Sequence, residues 1–439
     1  MRKKIILLTA ILTVLSTSQI NLFAQDSAGK SDNLTSTNRP MRILHPLTLT
    51  VGQNEGHLQG NDDKVIQAGI DYLHRLGGGV LHILPGTYTM NNAIYIRPNI
   101  TIRGSGNNTI LKKAAGYSTP LVREADWFEY GVQVKDPSGF KPGQGIMVRT
   151  TEKALWMIKV LKGTVTEIAG DVVFFDKITG ENFYLEKESV ATNIFPLFTA
   201  EYVDNITIED IVLDGNRTEN ELINGNFSGA VFLEHCNNWS FRNVTAQNYN
   251  GDGFSWQVCN DFRFENCKSM NNGGLGFHPG SGSQRPVFKD CAAKGNDQGF
   301  YFCWSVTGGS VDNCIFSDNV KYGISIGHRD TDNVIRNCTI EGNKHVGILF
   351  RKGGDSEFFG GHRNLIDNCI IRDNGADKDG VGIDITNETN DITIKNCTFG
   401  NTSGKIQKIG IQIGKKAKRI SFEDNTFSDV PVKVKDLRK

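Results

Sequence analysis

The sequence predicts an all-β chain: a right-handed parallel β-helix solenoid with an N-terminal capping helix and a small inserted β subdomain. Three observations lead there. A short motif recurs every 23 or 24 residues through the second half, stretching to about 30 where turns carry insertions. One amphipathic stretch precedes the repeats, and residues 116–200 break the period. Length alone would suggest about three domains, but the repeat gathers most of the 439 residues into one body.

The motif is a β-rich run, Asn-Cys or Asp-Cys, a second short run, polar residues, then Gly with alternating apolar residues. It reads FRFENCKSMNNGGLGF at 262–277, VFKDCAAKGNDQGF at 287–300, SVDNCIFSDNVKYGI at 310–324 and VIRNCTIEGNKHVGI at 334–348. Each run is too short to stand alone. Stacked turns bury one continuous core and pair each backbone group with the next turn. Leucine-rich and WD repeats have other signatures, and no helical period is present. Cys267, Cys291, Cys314, Cys338, Cys369 and Cys397 share one slot at the bend between two strands. Turns lie ~4.8 Å apart, so these residues stack as small bend-fillers beside an asparagine ladder. In-line stacking makes no zinc tetrahedron, and disulfides between neighbouring rungs would strain the register.

Residues 62–76 place Val65, Ile66, Ile70, Leu73 and Leu76 near helical spacing, with Asn61, Asp62 and Asp63 as capping groups and Gly77-Gly78-Gly79 as the stop. Laid over the open solenoid end, this helix covers an exposed sheet edge. The expected organisation is a signal sequence at 1–24, a polar segment at 25–45, cap and first rungs at 46–115, the insertion at 116–200 and the main β-helix at 201–439. Arg2, Lys3 and Lys4 precede an apolar run at 5–15 that is too short to span a bilayer, and Leu22-Phe23-Ala24 offers a cleavage site. No lipoprotein cysteine follows. The expectation is an exported protein, periplasmic or extracellular, with no membrane association after signal removal.

Lys and Arg total 48 and Asp and Glu total 48, so no global field draws nucleic acid. Nine cysteines exclude a fully paired disulfide framework. No phosphate loop, zinc quartet or serine-triad motif occurs, so no cofactor and no metal are expected.

NDDKVIQAGIDYLHRLGGGVLHILPGTYTM at 61–90, followed by Asn-rich rungs, resembles the opening of the pectate-lyase-like β-helix superfamily. The resemblance covers roughly residues 60–430. It implies an exported carbohydrate-active protein whose substrate lies along the outer face of the Gly-marked strand and the turn after it. A fold does not fix an activity. Aligned by inward residues from Val231 to Ile411, the outward column reads Phe232, Ser255, His278, Tyr301, Ser325, Leu349, Asp384 and Gln412. The next positions give Glu234, Gln257, Trp304, His328, Arg329, Arg351 and Lys352. Aromatics stack on sugar faces, and Arg or Lys can fork onto a carboxylate.

The related chemistries can be tested residue by residue. GDGFSW at 251–256 looks like the Asp-Asp rung of polygalacturonase-like hydrolases, with Asp252 as the second aspartate. Ser228, Gly229 and Leu275 stand where the other aspartate and a histidine belong. GFHPGS at 276–281 keeps only Pro279 of the mannuronan-epimerase pattern, and Glu234 and Asp384 are too far apart for a pectate-lyase calcium cluster. A groove rich in His, Tyr, Arg and Lys suits metal-independent β-elimination on a uronic acid. His278 or His328 would be the base, Tyr301 the acid or base partner, and Arg351, Lys352 or Arg329 the carboxylate neutraliser. Trp304, Glu234, Gln257 and Asp252 complete the expected substrate-binding set, and the partner would be an acidic polysaccharide or oligosaccharide. Two alternatives stay open: a glycoside hydrolase pairing Asp252 with Glu234 or Asp297, and a non-catalytic glycan binder.

Overall fold

The structure is a computed structural model that describes residues 46–151, 157–353, 356–377, 380–386, 388–402, 404 and 406–438. The expected signal sequence and the polar segment to residue 45 lie outside the described residues. Helix α1 spans Asp63–Arg75. Asp62 sits before it in extended backbone, and its carboxylate accepts from the Lys64 N–H at 3.1 Å, which satisfies one orphan donor of the first turn. Ile66, Ile70 and Leu73 are fully buried and join the solenoid core with Leu49, Val51 and Leu81. The chain leaves through Gly77 and Gly78 at φ 94° and 117°, where an L side chain would be strained. Leu76, expected on the buried face, is 54% exposed. It is the C-cap, where the helical rotation has ended.

From Thr48 onward the solenoid strands pair in parallel. One face is an eleven-stranded sheet running from Ile94–Tyr95 through Phe198–Glu201 to Val432–Asp436. Its register stacks Val231, Phe254, Phe277, Phe300, Ile324, Ile348, Ile383 and Ile411 in one inward column. All eight are buried. The other two faces merge into a 22-stranded sheet. Its Phe241, Phe264 and Phe288 rings stack at 4.6 Å intervals between centroids, so in-register pairing also aligns the aromatic core.

The six repeat cysteines are buried and free. The residue before each, from Asn266 to Asn396, has φ between 50° and 58°. Asn and Asp tolerate that left-handed conformation better than other side chains, which is why they recur there. Their side chains form the exposed ladder, as where Asn266 Nδ2 donates to Asn243 Oδ1 at 2.8 Å. A second, buried ladder follows the next strand. Asn272, Asn296, Asn319, Asn343 and Asn374 each accept from the backbone N–H or amide of the rung before, and Gln407 ends the series. It satisfies backbone groups that the bend would otherwise bury unpaired.

Six strands within 118–192 form a separate antiparallel sheet. Val132, Val173 and Phe183 belong to its own apolar cluster. No helix among the described residues is long and apolar enough to cross a membrane.

Candidate functional site

The eleven-stranded face carries a cleft of about 700 Å³. Its floor is built by stacking. Asp252 opens one strand, His278 lies one rung on in register with Ser255, and Tyr301 one rung further. His278 Nδ1 donates to Asp252 Oδ2 at 2.7 Å, and Asp252 Oδ1 accepts from the Leu275 N–H at 2.7 Å. Both side chains are buried, at 3% and 1% exposure. Burial opposes a charge on His278, but the hydrogen bond and charge of Asp252, with nearby Cys303, outweigh it, and its pKa is pushed up to about 10. The imidazole is a cation at neutral pH, held by its carboxylate. Its Nε2 has no hydrogen-bond partner within the protein.

The Tyr301 ring stands edge-on to His278, with centroids 5.5 Å apart. Burial raises its phenol pKa, and the Arg351 charge lowers it in part. Arg351 lies on the other side, its guanidinium 3.9 Å from the Tyr301 ring centroid. That guanidinium is already committed. It donates to Ser325 Oγ at 2.8 Å and the Phe302 carbonyl at 2.6 Å, and pairs with buried Asp330 at 3.4 Å. Burial pushes the Asp330 carboxyl up to about 7.

His328 stacks on Trp304 at 4.7 Å between centroids. Its pKa is lowered by burial first, then by the charges of Arg351 and Arg329. It is therefore neutral at neutral pH, and its Nδ1 has no partner. The two histidines are thus pushed in opposite directions within one cleft, the arrangement that separates acid from base roles.

Of the sequence-predicted residues, His278, Tyr301, His328, Trp304 and Asp252 line this cleft together. Arg351 does not. Its guanidinium packs on the Tyr301 ring and is held by Ser325, Phe302 and Asp330. Arg329 also stands outside the lining, with its guanidinium 4.9 Å from the Phe358 ring centroid and 5.6 Å from that of Trp304. Lys352 is not among the lining residues. Glu234 lines a different cavity beside Lys162, because its rung lies under the inserted sheet. Gln257 is turned to the backbone, where its Oε1 accepts from the Ser281 N–H at 2.9 Å. No cluster of metal-ligating side chains occurs among the described residues.

The sequence reading missed Lys321, which pairs with Asp297 at 3.0 Å, and the segment Leu222–Asn226. Both lie at strand beginnings, off the outward column that the alternation picks out. The signal for Lys321 was its register two rungs beyond Gly274, which also lines the cleft.

The family described as right handed beta helix region matches residues 229–359 and 350–434, the stretch that carries most of the cleft. The chain folds as a right-handed parallel β-helix. No curated protein sequence matches it. Among solved structures, this β-helix is similar to the mannuronan C-5 epimerase A-module of Azotobacter vinelandii. Identity is 15% and the TM-score 0.55, over 88% of this chain and 97% of that one. It is also similar to the endo-xylogalacturonan hydrolase of Aspergillus tubingensis, at 13% identity and TM-score 0.51, over 89% and 94%. At these identities the likeness concerns the β-helix fold.

Proposed function

We propose that this β-helix protein is an exported, metal-independent polysaccharide lyase that cleaves a uronic-acid-containing glycan by β-elimination. One observation carries the reading: a cationic histidine, a neutral histidine and a neutral phenol meet in one cleft. Elimination needs these three parts. The His278 cation offsets the substrate carboxylate and so acidifies the C5 proton. Neutral His328 removes that proton. The electron pair forms the C4–C5 double bond, the C4–O4 bond breaks, and the departing oxygen takes the Tyr301 proton. Arg351 holds the Tyr301 ring in place, and Trp304 offers a face for a sugar ring.

The carboxylates support this reading over hydrolysis. Both Asp252 oxygens are engaged inside the protein, and Asp297 is paired with Lys321. Neither is poised to activate water. The two solved structures named above are a mannuronan epimerase and a xylogalacturonan hydrolase. Proton abstraction at C5 is the step that epimerisation shares with elimination, so an acidic glycan is the class to test first.

The test is a screen of acidic and neutral polysaccharides, read by the ultraviolet absorbance of the unsaturated uronate and by new reducing ends. Elimination gives both signals in step. His328→Ala should abolish both, and Tyr301→Phe should lower kcat by about 10²–10⁴-fold, the usual worth of a positioned acid. Reducing ends without absorbance would refute the reading. Export is tested by fractionating expressing cells for a product cleaved after Ala24.

A further inference from the structure

We propose that the cleft receives the end of a glycan chain and not its middle, because the inserted sheet dams the groove at the Phe232 rung. The inference rests on the glycan reading above. An open β-helix groove would leave its outward column accessible along several rungs. Here Thr199, Phe232 and Glu234 precede Ser255 and Gln257 in register, yet Phe232 is 1% exposed. Lys162, on the inserted strand Val160–Ala169, places its ammonium 3.8 Å from the Phe232 ring centroid and 3.6 Å from Glu234 Oε2. A half-buried ammonium over an aromatic face covers that face while keeping part of its own hydration.

The next rung is closed too. Ser255 is fully buried, and its hydroxyl donates to the Gly225 carbonyl at 2.7 Å. Gly225 itself packs so closely on Asp252 that any side chain there would collide with the carboxylate. Beyond the dam lies a separate cavity of about 280 Å³ between the insertion and the first rungs. It shares no lining residue with the main cleft.

The other direction differs. Tyr301, Leu349, Asp384 and Gln412 are all partly exposed, and only Ser325 in that series is buried, under Arg351. A chain can therefore leave the cleft toward the C-terminal rungs but has no continuous path past Phe232. Cleavage at such a site proceeds from a chain end.

Stoichiometry separates the two geometries without relying on catalysis. Full-length protein, with His328→Ala to prevent turnover, is titrated calorimetrically with polygalacturonate and with alginate, each at several defined chain lengths. The expected result is one protein bound per chain whatever its length, so binding capacity per gram falls in proportion to length. A number of bound proteins that grows with chain length would overturn the proposal, as would absence of binding by both polymers. End-limited binding without unsaturated product would sink the lyase reading alone. Unsaturated product released as a ladder of lengths would sink this inference alone.

Discussion

Replacing Asp252 by Asn probes the electrostatics of the cleft floor. The substitution keeps the side-chain shape and an oxygen for the Leu275 N–H, but removes the charge that faces His278. The His278 pKa of about 10 lies about 3.5 units above its ordinary 6.5. At 1.36 kcal/mol per unit, the folded protein favours the imidazolium by roughly 5 kcal/mol. That is of the order seen when one partner of a buried ion pair is removed. The sign follows from the direction of the shift. A histidine whose pKa is raised by folding contributes stability in full below about 6.5, and that contribution is lost as pH rises through about 10. In Asp252→Asn burial, the largest influence on the ring, is opposed by Cys303 alone, and burial lowers a histidine pKa. The variant should therefore be destabilised most below about pH 6.5 and least near pH 10. The direct assay is a histidine NMR titration of both proteins, supported by urea unfolding across the same range. A wild-type His278 that titrates near its ordinary value would refute the reasoning. So would one whose pKa is unmoved by Asp252→Asn.

Other outcomes follow from the same geometry. Asn319→Ala removes the acceptor for the Asn296 N–H in a fully buried bend and should cost roughly 2–4 kcal/mol in urea unfolding. Lys113 is buried with its pKa lowered by desolvation to about 7, so wild-type stability should rise between about pH 7 and the ordinary lysine value. Lys113→Met should flatten that rise and be the more stable protein below pH 7, read from Tm against pH. Arg351→Lys loses the planar stack on Tyr301. It should lower kcat more than it raises KM, and it should also lower the unfolding midpoint, because the Phe302 carbonyl and Ser325 lose their buried donors. The repeat thiols are 0–1% exposed, whereas Cys303, at 9%, reaches the cleft lining. A thiol reagent should therefore modify Cys303 first, and a bound oligosaccharide should slow it.

Much of the fold was legible because its signal is periodic. The asparagine slot recurs at 23 residues between Asn243 and Asn266, and at 31 between Asn337 and Asn368, where a longer turn intervenes. Inward alternation located eight of the eleven strands of the cleft-bearing sheet, and helix α1 announced itself by spacing and caps. The two histidines, Tyr301 and Trp304 were legible for the same reason, as outward or turn positions of consecutive rungs. What alternation cannot report is where the inserted sheet covers that face. Glu234 looked equivalent to its neighbours on the column, yet Lys162 from a non-repeating segment sits against it. Nor can it report how a guanidinium is spent. Arg351 looks free in the sequence, but the carbonyl of Phe302 and the carboxylate of Asp330 come from other turns and engage it. The buried ladder from Asn272 to Asn374 was visible only as polar residues between strands, because burial of a bend depends on the rungs stacked on either side.

The central claim concerns which bond-breaking chemistry the cleft performs. The most direct measurement is the mass of the new chain end formed from an acidic polysaccharide in oxygen-18 water. The account predicts a product one water lighter than the hydrolysis product, with no solvent oxygen incorporated. One heavy oxygen per bond cleaved would contradict it and place the cleft among hydrolases.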